Sequence, residues 1–86
     1  MKNILYFYLA NCPYCRQAEQ WLDELTAENP AYKAFTIERV EESRQPELAN
    51  RYDYYYVPTF YIGGRKLHEG AASKDAIRRV LDAALA

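Results

Sequence analysis

An unbroken apolar run, Ile4-Leu5-Tyr6-Phe7-Tyr8-Leu9, is followed after only Ala10 and Asn11 by Cys12-Pro13-Tyr14-Cys15. The run lacks the polar alternation of a half-buried strand, so it reads as a central strand covered on both faces. Pro13 suits the first position of a helix, where φ is already near its fixed value and the missing N–H costs nothing. Cys15, Ala18, Leu22 and Leu25 then recur at helical spacing, and Trp21 widens the stripe. A strand therefore hands over to a helix at the cysteine pair, and the rest of the 86 residues must be arranged around that junction.

Asn29-Pro30 stops this helix. Phe35 and Ile37 alternate with Thr36 and Glu38, which predicts a second strand over residues 34–40. Glu41-Glu42-Ser43 reads as a loop, and Pro46 opens a short helix through Leu48, Ala49 and Tyr52. Thr59–Ile62 is a third strand, and Gly63-Gly64 is a two-residue hairpin signal that folds Arg65–Glu69 back as a fourth. Ser73 is a good N-cap with Asp75 in the first turn, and Ile77, Val80, Leu81 and Ala84 line one face of a last helix. The order β-α-β-α-β-β-α predicts one α/β domain over residues 1–86. Its four-stranded mixed sheet is flanked by three helices, with strands one and two parallel across the first helix.

Charge excludes some functions. Eleven Lys and Arg against twelve Asp and Glu give a formal net charge of −1, whereas a nucleic-acid binder of this size is visibly basic. Acidic side chains dominate residues 1–50 and basic ones residues 65–86, a split too mild to imply DNA or a membrane. The longest apolar stretch, Ile4–Ala10, is too short to span a bilayer. No small-residue cleavage site follows it, so a strand is the better reading than a signal peptide. The expectation is a monomeric cytoplasmic protein with neither nucleic acid nor membrane as partner.

The two cysteines lie too close in sequence for their disulfide to staple a fold, because that stabilisation grows with loop length. Zinc would need four ligands, and besides the pair the chain offers only the distant His68, so no metal is expected. Reactivity remains. Cys12 falls at the N-cap, where free amides and the positive helix end favour thiolate over thiol. A thiolate attacks a disulfide to form a mixed disulfide, which a second thiol must resolve. Cys15, one turn on and on the apolar stripe, is placed for that step, and its burial keeps it a thiol until Cys12 is occupied.

These residues resemble the thioredoxin superfamily, and within it the glutaredoxins. Cys-Pro-Tyr-Cys early in the chain, directly after one strand, is similar to the dithiol glutaredoxin site, and Val57-Pro58-Thr59-Phe60 resembles the superfamily's cis-proline loop. The resemblance covers essentially the whole chain and implies a thioredoxin-like fold. It implies that Val57 pairs its backbone with substrate beside a cis Pro58. It also implies that the amides of Ala71, Ala72 and Ser73 receive a carboxylate of glutathione, with no cofactor bound tightly and glutathione as reductant. Some positions depart from the pattern. Leu9 stands where relatives often carry Lys or Arg, Tyr56 where they carry Thr, and Glu69-Gly70-Ala71-Ala72-Ser73 lacks their aspartate. That last stretch and residues 46–52 are more similar to thioredoxin. Yet thioredoxin's Trp before the first cysteine is Asn11 here, and its buried Asp is Tyr6.

Tyr14, between the cysteines, should be exposed beside Cys12. Arg16 is the nearest definite cation, able to stabilise a Cys12 thiolate or bind a carboxylate. Tyr54, Tyr55 and Tyr56 cannot all be core in any regular element, and Tyr56 is the best candidate for the site. His68, Arg78 and Arg79 read as solvated surface. The sequence thus predicts a thiol–disulfide oxidoreductase of glutaredoxin type, acting with glutathione on disulfide-containing or glutathionylated proteins. Its rivals are a thioredoxin-like protein reduced by a flavin-containing thioredoxin reductase and an iron–sulfur cluster carrier. Pro13 counts against the carrier, whose known examples usually have a smaller residue there.

Overall fold

The structure is a computed structural model and describes residues 2–86. Four strands, Ile4–Tyr8 (β1), Ile37–Glu41 (β2), Thr59–Ile62 (β3) and Arg65–Glu69 (β4), form one sheet in the order β2-β1-β3-β4. β1 pairs parallel with β2 and antiparallel with β3, and β3 pairs antiparallel with β4. The helices are Pro13–Glu28 (α1), Pro46–Ala49 (α2) and Lys74–Leu85 (α3). This is a thioredoxin-like fold, with β1 central as its apolar run requires.

β1 uses both faces. Ile4 and Tyr6 are fully buried against Ala18, Leu22 and Leu25 of α1 and Ile77, Val80, Leu81 and Ala84 of α3. Phe7, pointing the other way, is buried with Val40, Ala49 and Tyr61, and Tyr52, Tyr54 and Val57 pack around them. Each fully buried Leu, Ile or Phe contributes about 1.5–3 kcal/mol relative to exposure, so both faces hold the sheet. Gly63 and Gly64 turn the β3–β4 hairpin with φ of 56° and 81°, the left-handed region that type I′ turns need. Ser73 caps α3, its hydroxyl accepting from the Ala76 amide at 3.0 Å. Lys74 of α3 reaches Glu24 and Glu28 of α1 at 3.0 and 2.5 Å, and Arg39 of β2 reaches Glu19 of α1 at 2.9 Å. Among the described residues no helix is long and apolar enough to cross a membrane.

Four expectations about boundaries need correction. The first strand ends at Tyr8, not Leu9. The second spans Ile37–Glu41 rather than residues 34–40, because Pro30–Lys33 forms a one-turn 3-10 helix first. There Asn29 Oδ1 accepts from the Ala31 amide at 3.2 Å, and the buried Tyr32 donates to Asp82 Oδ1 of α3. Pro30 thus begins an element as well as ending one, and the alternation from Phe35 starts before β2 can pair with β1. Glu41 belongs to the strand rather than to the loop, and is buried. α2 ends at Ala49, short of Tyr52, which lies beyond it in the turn and packs its ring against Phe7 and Tyr61.

The topology brings one end of the sheet together. β1, β2 and β4 run the same way and β3 runs against them. The C-terminal ends of β1, β2 and β4 and the start of β3 therefore share an edge of the molecule. α1 follows β1, α2 follows β2 and α3 follows β4, so all three helix N-termini lie at that end.

Candidate active site

Of these three helix starts, only α1 has neither a side-chain cap nor an acid in its first turn. α2 carries Glu47, and α3 carries the Ser73 cap and Asp75. Cys12 is the N-cap of α1, in extended backbone (φ −92°, ψ 119°), and its carbonyl accepts from the amides of Cys15 and Arg16, both at 3.1 Å. The positive end of α1 is left for negative charge at Cys12 itself.

Cys12 is half-buried and Cys15 is 2% exposed; both are free thiols. Burial pushes the Cys15 thiol up to about 12. The Leu9 backbone pulls it partly back, while the hydrogen-bonded side chain and charge of Cys12 raise it further. The two sulfurs are thus neighbours with unlike surroundings, one reaching solvent and one held protonated beneath it. Tyr6 lies below the pair. It is fully buried, its ring stacks on Phe60 at 4.6 Å between centroids, and its hydroxyl donates to the Cys15 carbonyl at 3.4 Å. Burial pushes this hydroxyl above its ordinary range, so it stays a donor.

The loop after β1 is fixed from β2. Glu41 Oε2 accepts from the Ala10 amide at 3.3 Å, and Oε1 accepts from the Ser43 amide and hydroxyl, both at 2.7 Å. Those bonds, the Ser43 hydroxyl foremost, hold the Glu41 carboxyl below the usual carboxylate range. Nothing in the sequence marked this residue, because a lone acid at a strand end has no periodicity or motif to distinguish it.

The loop before β3 faces the same end. The Val57–Pro58 peptide bond is cis, as the resemblance implies. Pro58 is buried and Val57 half-buried. The tyrosine run divides. Tyr54 stacks on Phe7 at 4.8 Å and donates to Glu42 at 2.9 Å, whereas Tyr55 and Tyr56 are 86% and 71% exposed. Tyr14 is 54% exposed, and Arg16 is exposed on α1. At the start of α3, Ala71 and Ser73 are exposed and Ala72 packs against the core. The Ser73 hydroxyl is already accepting as the helix cap. His68, expected as solvated surface, is instead half-buried, and its Nε2 lies 3.0 and 3.2 Å from the Gly70 and Ala71 carbonyls.

Residues 4–67 match the glutaredoxin family model. A thioredoxin of Methanocaldococcus jannaschii is 32% identical over 66 residues, 77% of this chain and 75% of that protein. Among solved structures, the oxidised thioredoxin of Plasmodium falciparum superposes with a TM-score of 0.74 at 18% identity, covering 99% of this chain and 82% of that one. An uncharacterised thioredoxin-like protein of Clostridium perfringens gives 0.69 at 28% identity, covering 98% and 71%. The first of these structures shares the fold alone.

Proposed function

The chain belongs to the glutaredoxin family within the thioredoxin superfamily and is a thiol–disulfide oxidoreductase, and from that premise we propose that it reduces protein disulfides and glutathionylated proteins through Cys12 and Cys15. The observation that carries the reading is the contrast within the pair: one sulfur at an uncapped helix start, the other buried and protonated against it.

Cys12, as thiolate, attacks one sulfur of the substrate disulfide. The S–S bond breaks, the leaving thiolate takes a proton, and Cys12 is left in a mixed disulfide. Neither the charge nor the thiol of Cys12 then raises Cys15, so the buried thiol gives up its proton more readily. Cys15 attacks the Cys12 sulfur, the Cys12–Cys15 bond forms, and the second substrate sulfur departs to be protonated. Two electrons pass from the dithiol to the substrate.

The Val57 backbone is the docking edge for the substrate chain, with Pro58 beneath it and Tyr14 and Tyr56 at the rim. Glutathione restores the dithiol, but weakly. Its γ-glutamyl carboxylate meets the amides of Ala71 to Ser73 at the start of α3, where backbone donors serve without a particular side chain. Its glycine carboxylate finds Leu9 in place of a cation and has Arg16 or a backbone group instead. The second reading, a thioredoxin-type reductase served by a flavoenzyme, is favoured by the archaeal relative, itself a thioredoxin. A coupled assay separates them: protein-disulfide reduction is followed with glutathione plus glutathione reductase, and in parallel with thioredoxin reductase. Slow turnover in the first arm supports glutathione. Turnover in the second arm alone assigns the thioredoxin route, and turnover in neither overturns the proposal.

A further inference from the structure

Tyr55 and Tyr56 pose a problem that the redox chemistry does not solve. Two adjacent aromatic rings lie 86% and 71% exposed, although burying large apolar surface is favourable. The loop that carries them is tied down, chiefly by the β3–β4 hairpin and the turn that follows it. The Asp53 carbonyl accepts from the Tyr61 hydroxyl at 2.6 Å and from Lys66 Nζ at 3.1 Å. The Tyr56 carbonyl accepts from the Thr59 hydroxyl, and the Pro58 carbonyl accepts from the Gly70 amide at 2.8 Å.

The central anchor is Glu69. Its Oε2 accepts from two successive amides, Tyr55 at 2.6 Å and Tyr56 at 3.0 Å. Its Oε1 accepts from Lys66 Nζ at 2.6 Å. Glu69 is itself fixed in the ladder opposite Thr59. One carboxylate thus converts the stretch before Val57 into a rigid turn, and charge-assisted bonds of this kind are about twice as strong as neutral ones.

We infer that Glu69 is a positioning residue that sets the loop before Pro58 and presents Tyr55 and Tyr56 as an exposed aromatic platform for an apolar segment flanking the disulfide of a protein substrate. The inference rests on the docking role given above to Val57 and Pro58. It deepens that role by naming what holds the docking edge and which protein disulfides it prefers. Lys66 first, and then those two amides, hold the carboxyl far below the usual carboxylate range, at about 2, so it is charged at neutral pH. A disulfide too small to reach past Cys12 gains nothing from the platform.

The test compares the wild-type chain with Glu69→Gln and Lys66→Met in steady-state reduction of two substrates. One is a protein disulfide flanked by aromatic and aliphatic residues; the other is a small symmetric dialkyl disulfide. In Glu69→Gln, KM for the protein should rise about five- to tenfold while its kcat, and the rate with the small disulfide, stay within about twofold. Lys66→Met keeps the carboxylate on both amides and should show the smaller KM effect. The Tyr55 and Tyr56 amide proton resonances should lie downfield in the wild type and move upfield in Glu69→Gln, a readout independent of turnover. Equal loss on both substrates, or unmoved resonances with unchanged KM, overturns the inference. A wild type inactive on both substrates instead overturns the functional reading beneath it, and the resonances still report the anchor.

Discussion

The Gly70 amide donates to the Pro58 carbonyl over 2.8 Å, tying the loop before β3 to the turn that opens α3. Gly70 makes this contact with φ of 87°, in the left-handed region, and a Cβ built there would lie 3.5 Å from the Tyr56 Cβ. The space is ordinary, so the backbone conformation carries the cost. Gly70→Ala should lose about 1–2 kcal/mol of stability. Denaturant unfolding measures it, and a midpoint equal to wild type would show that this glycine is not required.

Alkylation should separate the thiols. Near neutral pH a small iodoacetamide should label Cys12 and leave Cys15 untouched, because the neutral, buried thiol neither ionises nor meets reagent. The Cys15 thiol stands near 12 in the fold against an ordinary 9.0. A raised value means that its contribution to stability is complete below about pH 9 and is lost as pH climbs toward about 12. Labelling of Cys15 should therefore appear together with alkaline unfolding. Peptide mass spectrometry reads the order, and Cys15 labelled first would reverse the assigned roles.

Replacing the resolving thiol should stop the reaction halfway. Cys15→Ser should accumulate a mixed disulfide on Cys12 and lose protein-disulfide reduction, while deglutathionylation persists because free glutathione takes over resolution. Cys12→Ser should lose both. Intact-mass measurement after one turnover detects the adduct. Full protein-disulfide turnover in Cys15→Ser would mean that the second thiol comes from elsewhere.

Restoring a cation before the active site should help glutathione. Leu9 is half-buried just beyond β1, and Leu9→Lys would place an ammonium where the proposed glutathione site offers the glycine carboxylate Leu9 in place of a cation. A charge-assisted hydrogen bond at this half-buried position should lower KM for a glutathionylated peptide about three- to tenfold. The rate with a thioredoxin reductase should not improve. Kinetics on both reductants with both proteins make the comparison, and an unchanged KM would move the glutathione carboxylate elsewhere.

Much of this was legible because it is periodic or local. The uninterrupted Ile4–Tyr8 run announces a strand with two buried faces, the Cys15–Leu25 stripe announces α1, and Ser73 with Asp75 announces the start of α3. What stayed hidden depends on distant partners. Asn29-Pro30 reads equally as the end of a helix or the start of a 3-10 turn, and Tyr32 meeting Asp82, fifty positions along the chain, helps decide between them. Glu41, Glu69 and His68 look like ordinary polar residues near strand ends. Each becomes an organiser only when the topology delivers the Ala10 amide, the Tyr55 and Tyr56 amides, and the Gly70 and Ala71 carbonyls to it.

The strand order leaves β2 and β4 as the outer strands, each pairing with a strand on one side only among the described residues. Such borders are templates for another chain to extend the sheet. Here the borders are posted with charge: Glu38 and Arg39 stand exposed on one side, Arg65 and Lys66 on the other. Stacking copies edge to edge would bring these side chains together and strip their water. Charge on both outer strands thus raises the cost of extending the sheet at either side, while the end that carries Cys12 stays open.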